Sequence, residues 1–130
     1  MILKDIKWKD LKLKDKVWSK IKEEPGVYRI RHADHEIGRA NGTDDEGILH
    51  IGMSKNLRRR VREFYKAATT KKGSHSAGLK YSNYGFGKKF PISSLTCEYV
   101  YTSKARDHEK ELHAKYIKTY LDHPPLDGQI

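Results

Sequence analysis

The sequence predicts an α+β domain in which a small three-stranded antiparallel sheet is flanked by helices, and three observations carry that expectation. Three short stretches alternate apolar and polar residues as half-buried strands do: Val27-Tyr28-Arg29-Ile30-Arg31, Ile48-Leu49-His50-Ile51 and Leu95-Thr96-Cys97-Glu98-Tyr99-Val100-Tyr101. Between and after them, apolar residues recur three and four positions apart, the spacing of a helix face. A chain of 130 residues with 36% hydrophobic and 34% charged side chains holds material for one modest core under a wet surface.

Taken in order, residues 1–24 read as an N-terminal helical extension. Ile2, Leu3, Ile6, Leu13, Val17, Trp18 and Ile21 lie near helical spacing with Lys and Asp between them, and one helix or two short ones fit equally. Glu24-Pro25-Gly26 is a stop and turn, and a domain spanning 25–130 begins there. The first strand leads into residues 32–47, a polar loop with Asn41-Gly42 as its turn, so the second strand returns as the other arm of a long hairpin and ends at Gly52. Ser54 stands where an N-cap belongs, ahead of a helix over 56–66. Residues 69–91, rich in Lys, Gly and Ser, read as an irregular, mobile connection to the third strand. Ser103 then caps a final helix from Lys104 to about Leu121, which Pro124-Pro125 stops.

Charge narrows the function. Lys and Arg number 27 against 17 Asp and Glu, a net charge of +10, and the mean hydropathy is −0.86. Residues 53–91 hold eleven basic residues and one acid, Glu63, whereas residues 32–47 hold five acids against Arg39 alone. One concentrated basic block is the footprint of a polyanion partner. No apolar run approaches the ~20 residues of a membrane helix, so no membrane partner is expected. The N-terminus has no signal-peptide pattern, and the single Cys97 rules out an intrachain disulfide, so a cytoplasmic location is expected.

Two charges fall on core-facing stripes. Leu57, Val61 and Phe64 form the stripe of the middle helix, and Arg60 lies within it; Ala105, Leu112 and Tyr116 form that of the last helix, and Glu109 lies within it. A charge facing a core needs compensation. An ion pair between the two would supply it, and so would a partly open site in which a carboxylate meets a metal and a guanidinium meets a phosphate. The basic block favours the site, because phosphodiester hydrolysis uses both groups.

These residues sit in a recognisable frame. Pro25-Gly26-Val27-Tyr28, His50-Ile51-Gly52, Asn56-Leu57 with Arg60-Val61, Ala105 with Glu109, and Pro124-Pro125-Leu126-Asp127 together resemble the signature of the GIY-YIG nuclease family over residues 25–127. The resemblance implies a DNA endonuclease that uses one divalent metal, Mg2+ or Mn2+, held by Glu109. It implies Arg60 as the phosphate-binding residue, Tyr28 as the first motif tyrosine, and Phe64 or Tyr65 as the aromatic residue one turn past the arginine. Two positions depart from the pattern: His50 stands where the second motif tyrosine belongs, and Asp127 stands where the family usually has Asn. Histidine ordinarily titrates near ~6.5 and tyrosine near ~10, so His50 is the better base for water, with Tyr28 orienting it. The alternative keeps Tyr28 as base and gives His50 a phosphate contact. The role of Asp127 is open.

The expected partner is double-stranded DNA, gripped by Lys55, Arg58, Arg59, Arg62, Lys71, Lys72, His75, Lys80, Lys88 and Lys89, with His75 on a loop that is more simply read as solvated. Cutting both strands calls for a homodimer or for two sequential nicks. Specificity for a sequence or for a branched structure is not encoded in any recognisable motif. A non-catalytic nucleic-acid-binding module on the same fold is the rival reading. His32-x-x-His35 lacks the further ligands of a zinc site, Asp44-Asp45-Glu46 lacks an EF-hand pattern, and Trp8 and Trp18 read as packing residues.

Overall fold

A computed structural model describes residues 6–32 and 36–127. The elements in chain order are β1 (Lys9–Lys12), β2 (Gly26–Arg31), β3 (Ile37–Gly38), β4 (Thr43–Asp44), β5 (Ile48–Ser54), α1 (Leu57–Thr70), α2 (Ser76–Asn83), the single turn α3 (Phe86–Lys89), β6 (Thr96–Tyr101) and α4 (Ala105–Tyr120). Short 3-10 turns cover Val17–Lys20 and Ile92–Ser94. The main sheet is antiparallel with strand order β1-β6-β2-β5, and β3 and β4 form a small hairpin inside the β2–β5 connection.

The sheet therefore has four strands where three were expected, and the extra one replaces part of the expected N-terminal helix. Leu11 and Leu13 are two residues apart, the period of a strand, and β6 would otherwise present an unpaired edge. Lys9 to Lys12 pair with β6, and the Leu13 N–H extends the contact to the Leu95 carbonyl at 3.0 Å. Leu13, Val17 and Ile21 then join the same core as α1, so the described part of the expected extension packs as part of the domain. Ile2 and Leu3 lie outside the described residues. Trp8 lies over the Arg29 guanidinium at 4.5 Å, and Trp18 packs on Tyr65 at 5.3 Å between ring centroids.

Register assigns the two faces. Across β1, β6, β2 and β5, Leu11, Cys97, Ile30 and His50 stand in one row and Lys9, Tyr99, Tyr28 and Gly52 in another on the same face. Leu57, Val61 and Phe64 of α1 cover that face with the main core. The intervening row, Asp10, Glu98, Arg29 and Ile51, looks the other way. There Arg29 pairs with Glu98 at 2.6 Å and Glu46 at 3.2 Å, Arg31 pairs with Glu98 at 3.3 Å, and Tyr116 of α4 packs on Ile48 and Ile51. Asp44 is buried beneath Tyr116, whose hydroxyl donates to it at 2.9 Å, so the Asp44-Asp45-Glu46 run anchors the hairpin to α4.

Helix boundaries differ from expectation at their caps. Asn56, not Ser54, caps α1 by accepting the Arg59 N–H at 3.1 Å; the Ser54 hydroxyl instead accepts the Asn56 N–H at 3.0 Å. No side chain caps α4, and Lys104 rather than Ser103 is its N-cap residue. The largest correction concerns residues 69–91, which are not an irregular connection. Ala77 and Tyr81 are four apart on α2 and buried, and the Tyr81 hydroxyl donates to the Phe90 carbonyl at 2.5 Å. Glycine at position 78 permits the packing: a Cβ there would lie 2.8 Å from the Ala67 Cβ and 2.8 Å from the Phe64 carbonyl oxygen of α1. Among the described residues no helix is long and apolar enough to cross a membrane.

Because the Ala67 methyl and the Phe64 carbonyl of α1 leave no room for a side chain there, Gly78→Val should push α2 off α1 and lower stability by about 1–3 kcal/mol, the usual cost of overpacking. Urea unfolding measures it, and an unchanged midpoint would show that α2 does not dock as described.

Candidate active site

The site is assembled on β5, an edge strand of the sheet. Three of its outer peptide groups are taken by the C-terminal part of the chain: the Leu126 N–H donates to the Leu49 carbonyl at 2.9 Å, the Ile51 N–H donates to Asp127 Oδ2 at 2.8 Å, and Nε2 of His113 on α4 donates to the Ile51 carbonyl at 3.0 Å. This edge pairing delivers the other carboxylate oxygen, Asp127 Oδ1, to His50 Nδ1 at 2.5 Å.

On its opposite side His50 meets a buried tyrosine. His50 Nε2 lies 3.0 Å from the Tyr28 hydroxyl, and the same hydroxyl lies 2.6 Å from His75 Nε2. His75 is the N-cap of α2, where its Nδ1 accepts the Gly78 N–H at 3.2 Å. Gly52 faces Tyr28 across β2 and β5, and a Cβ there would lie 2.8 Å from both His50 Nε2 and the Tyr28 ring, so a side chain would fill the space in which the two meet. The Phe64 ring lies parallel to His50 and edge-on to His75, holding both imidazoles from the α1 side.

His50, His75, Arg60, Lys80, His113 and Asp127 border a cleft of about 300 Å³. Tyr28 is 1% exposed and stands behind this lining. Its burial drives the phenol well above the ordinary tyrosine range, the Arg60 guanidinium working in the opposite sense. His75, with no exposed surface, is pulled down to about 2, first by burial and then by His50 and Arg60. Both groups are therefore neutral across the physiological range.

The expected residues fall into three groups. Tyr28, His50, Arg60 and Asp127 are brought together. Glu109 is not joined to Arg60 by an ion pair: Arg60 pairs with Glu63 at 3.5 Å, one turn along α1. Glu109 stands half-buried on α4, one turn before His113 on the same helix face and outside the cleft lining. Of the expected DNA-binding residues, Lys55, Arg59, Arg62, Lys71, Lys72, Lys88 and Lys89 are exposed and Lys80 lines the cleft, but Arg58 donates to the Ile21 carbonyl at 2.6 Å. His75 is the correction. It is a buried cap hydrogen-bonded to Tyr28 and not a solvated loop residue. His113 carried one overlooked signal, its position four residues after Glu109. Phe64, not Tyr65, meets the histidines, and His32 is buried against Phe90, while His35 lies outside the described residues.

The metal that the resemblance implies must suit the donors present. Among the described residues no group of three or more His, Cys, Asp or Glu side chains is arranged to hold a metal, and no hydrogen bond or ion pair engages Glu109. A lone uncommitted carboxylate does not fit zinc or calcium, which require several protein ligands. It fits Mg2+, which keeps most of its water and takes one or two carboxylates together with substrate phosphate.

The buried neutral His75 has a pH signature. Below the ordinary histidine value of 6.5 the unfolded chain binds a proton at this residue and the folded chain does not. Stability is then lost as pH falls through and below that value, by up to about 1.4 kcal/mol per pH unit. His75→Asn, which has no titrating ring, should show a shallower slope between pH 6.5 and 4 in urea denaturation; equal slopes would contradict the buried, neutral assignment.

No family model matches the chain, and no curated protein does. Among solved structures, the chain is similar to the GIY-YIG N-terminal endonuclease domain of UvrC from Thermotoga maritima, seen as point mutants bound to its catalytic divalent cation. One comparison gives a TM-score of 0.47 at 21% identity over 90% of this chain and 100% of that one. Two further point mutants of the same domain give 0.46 at 20% and 22% identity with the same coverage.

Proposed function

We propose that the cleft hydrolyses phosphodiester bonds of double-stranded DNA with the help of a divalent metal. The observation that carries this reading is the His50 imidazole, bonded to a carboxylate on one side and bordering a cleft shared with Arg60 on the other. A base beside a phosphate-binding arginine favours hydrolysis over binding alone.

In this reading Arg60 donates to the non-bridging oxygens of the scissile phosphate and stabilises the charge that grows there. His50 Nε2 takes the proton of the attacking water, and the Tyr28 hydroxyl, which lies 3.0 Å from that nitrogen in the resting protein, turns to the water and orients it. Asp127 stabilises the imidazolium that results, so the two departures from the family pattern make one functional pair. Burial raises the Tyr28 phenol, which favours His50 over Tyr28 as the base. Glu109 would hold the metal, which supplies Lewis-acid stabilisation of the leaving oxygen when bound. The exposed Lys55, Arg59, Arg62, Lys71, Lys72, Lys88 and Lys89 receive the DNA backbone.

Plasmid cleavage with Mg2+ tests the proposal beside an EDTA control. Wild-type protein should cut, EDTA should abolish cutting, and Arg60→Ala, His50→Gln and Glu109→Ala should each lower the rate by roughly 100-fold or more. Mapped ends distinguish sequence reading from structure reading. Salt-sensitive DNA binding with no cleavage under Mg2+ or Mn2+ would assign the protein to the non-catalytic reading instead.

A further inference from the structure

His75 belongs to none of the family motifs, yet its surroundings leave it one protonation pattern. A backbone amide can only donate, so the Gly78 N–H aimed at Nδ1 requires that nitrogen to be bare. The neutral ring then carries its proton on Nε2, which lies 2.6 Å from the Tyr28 oxygen and donates to it. With its oxygen accepting from His75, Tyr28 sends its own proton to His50 Nε2 at 3.0 Å. His50 in turn carries its proton on Nδ1, facing Asp127 Oδ1. Four bonds thus run in one sense, from the start of α2 to the tail of the chain. The reverse sense would set Nδ1–H of His75 against the Gly78 N–H in a buried place and leave both unsatisfied.

We propose that His75 is a positioning residue of this site: by accepting from Gly78 and donating to Tyr28, it sets the direction of the hydrogen-bond chain and aims the Tyr28 hydroxyl at His50 Nε2. Its kinetic consequence rests on the hydrolysis proposed above, whereas the proton positions belong to the resting protein. The assignment also separates two roles within one side chain. Nδ1 serves helix α2, and Nε2 serves the site.

Two substitutions divide those roles. His75→Asn keeps a good helix cap but is too short to reach Tyr28, while His75→Gln restores an Nε2 donor at the end of a longer side chain. Nitrogen-15 spectra of the imidazoles, recorded on the full chain without metal or DNA, should show His75 protonated on Nε2 only and His50 on Nδ1 only. The His50 Nε2 resonance should move in the Asn variant and return toward its wild-type position in the Gln variant. In the cleavage assay kcat should fall roughly 10–100-fold in the Asn variant with KM unchanged, and Gln should recover much of it. A cap-only role predicts the opposite order, with Asn like wild type and Gln impaired, and that result would overturn the proposal. So would a proton on Nδ1 of His75. Should the wild type fail to cleave while the proton positions and the shift in the Asn variant are as described, the hydrolysis reading fails and the positioning role stands.

Discussion

The edge of β5 is the constraint on which the site depends. An edge strand carries a row of peptide groups that need partners, and here three of them are met by the Leu126 amide, the Asp127 carboxylate and the His113 ring. That pairing closes the sheet against further strand addition. It also seats a carboxylate beside a histidine 77 positions earlier in the chain, with one oxygen on the backbone and the other on the ring. One side chain thus finishes the sheet edge and orients the His50 ring.

Burial on the opposite side of His50 has a similar double effect. A buried hydroxyl placed between two imidazoles bonds to both, and in the proposed proton pattern the Gly78 amide selects one of the two possible directions. Two glycines make the arrangement reachable: Gly52 leaves room for Tyr28 to meet His50, and Gly78 lets α2 settle onto α1 deeply enough to bring His75 under the sheet. The charged ladder of Arg29, Arg31, Glu98 and Glu46 stays on the other face of the sheet from Tyr28 and His50.

Much of this was legible from local pattern. Alternation placed β2, β5 and β6, and the three-four spacing of Leu57, Val61 and Phe64 placed α1 with its buried face correctly. Tyr28, His50, Arg60 and Asp127, each singled out in the sequence, lie close together in space. What was not legible had a physical cause in each case. Leu11 and Leu13 carry a strand period too short to outweigh helical spacing over the rest of the segment, and only the unpaired edge of β6 settles the choice. The α2 segment has a polar, glycine-containing sequence that reads as loop, because its glycine is there for close approach to α1 and not for a turn.

By itself the sequence determined the strand and helix types wherever periodicity ran through a whole element, the position of the positive charge, and the identity of the motif side chains, since each depends on residues adjacent in the chain. The tertiary structure alone decided that His75 is buried and joined to Tyr28, that His50 and Asp127 form a pair, and that Arg60 answers to Glu63 and not to Glu109. The first two link residues 47 and 77 positions apart, brought together by helix docking and by the satisfaction of a sheet edge. Local spacing records neither of those events, because both are set by which backbone groups still need partners once the sheet has formed.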